Sequence, residues 1–63
     1  MKWTLKSLRA SKNWSQKEAS KAVGVSLPTW RNWELQKTFP DVLRVKKIEE
    51  VFEVAYDDII FFK

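Results

Sequence analysis

The stretch Gln16 to Trp33, QKEASKAVGVSLPTWRNW, constrains this chain more than any other part of it. It punctuates itself as two short helices joined by a tight turn. Ser15 and Glu18 form a capping box, in which each side chain satisfies an N–H left open at the start of the first helix. Trp14, just before that cap, is placed to staple onto Ala19. The first helix then runs from Gln16 to about Ala22, and Val23-Gly24-Val25 makes the turn. Gly24 supplies the positive φ that ends a helix and redirects the backbone. Ser26 caps the second helix, Leu27 to about Glu34, with Pro28 in its first turn, where a missing N–H costs nothing. Ala19, Val23, Val25, Trp30 and Trp33 fall where the two helices must touch, and Ser20 is small where they cross most closely.

This pattern resembles the helix-turn-helix of the phage repressor and Cro family. A Gln opens the first helix, a small residue follows four positions later, and a Gly comes four after that. Apolar residues hold the fourth, eighth, tenth, fifteenth and eighteenth positions of the unit, and Trp33-Glu34 stands where the family often carries Trp-Glu. The resemblance covers roughly residues 4 to 60. It implies an all-α, compact four-to-five-helix, lambda-repressor-like DNA-binding domain over residues 1–63, with the two-helix unit at about 16–35. Units of this kind lay their second helix in the DNA major groove.

Charge points the same way. Residues 1 to 40 hold eight Lys and Arg against Glu18 and Glu34, a balance of +6, whereas residues 41 to 63 hold four against six acids, a balance of −2. A basic part that coincides with the two-helix unit suggests one face for a polyanion and another turned away from it. Other classes lose support. With no Cys and no His there is no disulfide framework, no thiolate metal site and no imidazole base. Neither a Gly-rich phosphate loop nor a converging set of carboxylates is present, so we expect no enzyme, cofactor, metal or small-molecule ligand. No apolar run approaches the roughly 20 residues of a membrane span, so the expectation is a soluble, cytoplasmic protein without membrane contact. At 63 residues the domain lies near the lower limit for folding unaided, and its nine aromatic residues are the means of filling a core.

Around the central unit, Thr4 caps a first helix through Leu5 and Leu8 to about Ser11. Trp3 packs on that helix or on the C-terminal segment. Arg9 matches, by the resemblance, an Arg that pairs with the residue corresponding to Glu34. The family commonly has Asn-Gly where this chain has Leu35-Gln36; a positive φ is strained at either, so a slightly different loop path is expected. Phe39 is read as a plug at the core edge. Asp41 caps a fourth helix in which Val42, Val45, Ile48, Val51 and Phe52 recur at helical spacing and should seal the core. Glu53 stands where the family ends this helix in Gly or Asn.

Tyr56 to Phe62 resembles the family's short fifth helix, with Asp57 and Asp58 complementing its N-terminus. Ile59, Ile60, Phe61 and Phe62 are more apolar surface than one helix face can bury in so small a domain. Residues 54–63 are therefore a candidate dimerisation segment, making a homodimer through those four residues. The alternative is a run that leaves the helix as a strand and folds back over the core.

By its matching positions the resemblance assigns base contacts to Leu27, Pro28 and Asn32, with Thr29 and Arg31 also facing outward. Asn32 suits adenine, Arg31 suits guanine or a phosphate, and Leu27 and Pro28 can only meet a thymine methyl or exclude a base by shape. Gln16 matches the family's phosphate-binding Gln, and Lys17, Lys37 and Thr38 are further phosphate candidates, each equally readable as a solvated side chain. Trp30 and Trp33 face inward and are read as core rather than as base-stacking groups. The expected partner is double-stranded operator DNA, bound by a small repressor or Cro-like regulator. An antitoxin-like or anti-repressor interaction module on the same fold is the other reading.

Overall fold

A computed structural model describes residues 2–61. Four helices follow one another: α1 (Leu5–Ser11), α2 (Gln16–Val23), α3 (Leu27–Glu34) and α4 (Val42–Phe52), and a 3-10 turn follows at Tyr56–Asp58. Each helix begins at a side chain that accepts a backbone N–H: Thr4 from Ser7, Ser15 from Glu18, Ser26 from Thr29 and Asp41 from Arg44. Thr4 and Ser15 each complete a reciprocal capping box. Such caps stabilise by about 1 kcal/mol each, which matters for helices of about two to three turns.

The α2–α3 turn begins one residue later than the sequence suggested, because Val23 stays helical and Gly24, at φ +84°, ends the helix. The N–H groups of Gly24 and Val25 both return to the Ser20 carbonyl at 2.9 Å, which closes the end of α2. The other three helix ends carry a left-handed residue without its being glycine: Asn13 at φ +57° after α1, Gln36 at φ +61° after α3 and Glu53 at φ +51° after α4. Leu35 remains right-handed. The loop after α3 thus makes its positive-φ step at Gln36 alone, and the N–H groups of Lys37 and Thr38 turn back onto the Asn32 carbonyl.

Leu5, Leu8, Ala19, Val23, Trp30, Trp33, Ile48, Phe52 and Ile59 form one buried cluster. The aromatic rings interlock, Trp14 meeting Phe52 edge-on at 5.6 Å while Trp30 lies 5.9 Å from Trp33 and 6.2 Å from Phe52. Burying one such ring contributes about 4–6 kcal/mol of transfer free energy, which is how so short a chain sustains a core.

The sequence misplaced three parts of this core. Val42 does not seal it: Val42 is 72% and Leu43 70% exposed, and α4 meets the interior only from Val45 onward. Helical spacing gives the direction of an apolar stripe but not how far the neighbouring helices extend to cover it. Phe39 stays 43% exposed and does not plug the core edge. The largest difference is at the C-terminus, where no fifth α-helix forms. After the 3-10 turn the chain extends, and Ile59 makes a parallel bridge with Trp3. Trp3 N–H donates to the Asp58 carbonyl, and Ile60 N–H donates to the Trp3 carbonyl, each at 2.7 Å. The strand-like alternative is the one the chain adopts. It buries Ile59 to 7% exposure, so Ile59 belongs to the core of its own chain rather than to a dimer surface. Ile60 and Phe61 are half-buried, and Phe62 lies outside the described residues.

Candidate nucleic-acid interface

The N-terminal half of α3 holds Leu27, Pro28 and Thr29 on the turn that Gly24 and Ser26 set up. Pro28 and Arg31 are exposed, while Leu27, Thr29 and Asn32 are half-buried. Thr29 has a local role, its hydroxyl lying 2.8 Å from the Ser26 hydroxyl at the cap. Asn32 anchors the following loop through its backbone carbonyl. Trp30, fully buried, and Trp33, 6% exposed, face the interior and cannot stack on a base.

Behind α3 sits a buried carboxylate that joins three helices. Glu34 accepts from Arg9 Nε at 2.6 Å and Arg9 Nη2 at 3.2 Å, and their side chains are only 6% and 16% exposed. The Trp30 indole N–H donates to Oε2, the oxygen that also accepts from Arg9 Nε, and Gln16 Nε2 donates to Oε1 at 3.1 Å. Arg9 also donates to the Trp14 carbonyl at 3.2 Å. Burial by itself pushes the Glu34 carboxyl up. The hydrogen bonds from Arg9, Gln16 and Trp30, with the Arg9 charge, outweigh it and hold the group below its ordinary value. Glu18 is likewise lowered, by the Ser15 backbone N–H and then the Ser15 side chain.

Gln16 is therefore not simply a surface side chain. Half-buried at the first position of α2, it reaches Glu34 on one side, while its Oε1 accepts from Arg31 Nε at 3.3 Å on the other. Lys17, Lys37 and Thr38 are exposed. Two cations that the sequence reading passed over flank the same face. Lys6 shares a cleft with Arg9, Gln16 and Arg31, and Arg44 shares another with Ser26, Thr29 and Thr38. Arg44 carries a faint signal in the sequence, a cation three residues after the Asp41 cap in a part of the chain otherwise dominated by acids. The Lys6 signal is only its spacing from Arg9 along α1.

The surface thus presents a projecting helix with cations on both flanks, which suits a polyanion with a groove. Among the described residues no group of three or more His, Cys, Asp or Glu could hold a metal, and no helix is long and apolar enough to cross a membrane. A family model described as helix-turn-helix matches residues 5–59. No curated protein matches the chain, and no solved structure does.

Proposed function

The chain belongs to the helix-turn-helix family of DNA-binding transcription regulators, and we propose that it reads a specific duplex sequence and represses by occupying an operator as a dimer. The observation that carries this reading is the fixed projection of α3. Its two tryptophans are locked in the core and its cap is held by Ser26, so Leu27, Pro28, Thr29, Arg31 and Asn32 have a defined placement. Leu27 and Pro28 would meet a thymine methyl, and Asn32 would pair with adenine. Gln16, Lys17, Lys37 and Thr38 would set the register on phosphates, joined by Lys6 and Arg44.

For the dimer, the extended segment after Asp58 is paired with Trp3 on one edge, and no other strand covers it among the described residues. An unpaired strand edge beside the half-buried Ile60 and Phe61 suits a second copy related by a two-fold axis. Tyr56, 54% exposed and 5.7 Å from the Phe61 ring, widens that apolar surface.

In vitro selection from random duplex DNA at physiological salt tests both parts. An enriched inverted repeat supports the dimeric regulator, with half-sites about one helical turn apart. A single enriched half-site keeps the reading of DNA and removes the dimer. No enrichment by the folded protein removes sequence-specific binding. The exposure of Val42 and Leu43 favours one second reading, a protein-interaction module of the antitoxin or anti-repressor kind. Weak salt dependence of nucleic-acid binding would support it.

A further inference from the structure

We propose that Gln16 is a positioning residue for Arg31, and that the pair reads one guanine in the major groove. This rests on the DNA-reading function above and adds to it an assigned base and a residue that acts through another. The amide of Gln16 has only one workable orientation. Its Nε2 faces the Glu34 carboxylate, which can only accept, and its Oε1 faces Arg31 Nε, which can only donate. Flipping the amide would set oxygen against oxygen and N–H against N–H. The carboxylate is fixed in turn by the two Arg9 bonds and by the indole N–H of the buried Trp30. A continuous chain of donors and acceptors therefore runs from the core, through Gln16, to an exposed cation on α3.

The consequence for Arg31 is chemical. Its Nε is occupied, so the guanidinium cannot use its Nε–Nη2 side for recognition. What remains is the end-on pair of Nη1 and Nη2, which have no partner among the described residues. Two parallel N–H groups in a fixed plane match the O6 and N7 acceptors of guanine. A phosphate would not need this constraint, because its oxygens accept from any edge and in any plane. A side chain left free in solution loses rotamer entropy on binding, and the Gln16 contact lowers that loss.

The test measures binding of the full chain to its selected site, and to duplexes substituted at each G·C pair in turn, by fluorescence anisotropy. Arg31→Ala and Arg31→Lys are both expected to lose discrimination at one and the same guanine, by roughly 5- to 100-fold. Gln16→Leu is expected to lower overall affinity and, beyond that, to cut the preference for that same guanine severalfold. Gln16→Ala repeats the measurement if the larger side chain disturbs the melting curve. A Gln16 variant that weakens every duplex equally, with the guanine preference intact, overturns the positioning role. An Arg31→Ala protein that loses affinity evenly across all sites overturns the guanine assignment in favour of a phosphate. If the wild-type protein selects no sequence at all, the DNA-reading function fails first, and that outcome is separable from either of these.

Discussion

Removing the Glu34 carboxylate should be the most damaging single change of charge in this protein. In Glu34→Ala the Arg9 guanidinium, 16% exposed, keeps only the Trp14 carbonyl, while the indole N–H of the fully buried Trp30 and the Gln16 amide lose their acceptor. Breaking a buried pair by deleting one partner costs about 3–5 kcal/mol. The slight exposure of Arg9 argues for the lower end, about 3 kcal/mol. A 63-residue domain has a total stability of about 3–9 kcal/mol. The variant should therefore melt about 12–24 °C lower, or not fold at all. Glu34→Gln keeps an acceptor for the indole and should cost less. Arg9→Met combined with Glu34→Gln removes the unpaired charge and should recover much of the loss, giving a coupling well above the roughly 0.5 kcal/mol expected of independent sites. Thermal melts of the wild type, Arg9→Met, Glu34→Gln and the double variant, followed by far-UV circular dichroism, supply the four corners of the cycle. Single effects that simply add would refute the claim that this pair is a working buried unit.

Acid titration gives a second readout of the same group. The folded carboxyl lies below its ordinary value of 4.5, so as pH falls the unfolded chain takes up this proton before the folded one does. The stabilisation is thus fully present above about 4.5 and is lost as pH falls through the folded-state value. Glu34→Gln should show a shallower acid limb than wild type, with the remainder carried in part by Glu18. An unchanged limb would mean that Glu34 is not the group responsible.

Other expectations follow from the core, the turns and the interface. Trp33→Ala should unfold the domain, since deleting a buried Trp costs about 3–5 kcal/mol; a folded variant that only loses DNA affinity would show that Trp33 faces the ligand instead. Glu53→Gly relieves a left-handed residue at φ +51° and should stabilise by up to about 1 kcal/mol, a rise of about 4–8 °C in Tm; a fall would mean the Glu53 side chain matters more than its backbone. Asn32→Ala should keep the fold, which melting checks, and relax specificity at one adenine by about 1–3 kcal/mol; unchanged discrimination in competition binding would take Asn32 out of the readout.

The features legible in the sequence were those settled within a few residues. Ser15 with Glu18, Ser26 with Thr29 and Asp41 with Arg44 close their bonds across one helical turn, so residue type and spacing are enough to specify them. Gly24 is similar, because a positive φ is a property of one residue. The inward faces of Trp30 and Trp33 follow from helical period. What only the tertiary structure decided involves partners that the sequence does not bring near each other. The Trp3 and Ile59 backbones pair across the whole chain, and that pairing, not local propensity, drew Ile59 into the core and replaced a fifth helix with an extended segment. The exposure of Val42 and Leu43 depends on where the neighbouring helices end. Gln16 was readable as a helix start, but not as the link between a buried carboxylate and Arg31, because a hydrogen bond between side chains of different helices exists only once packing has fixed the distance.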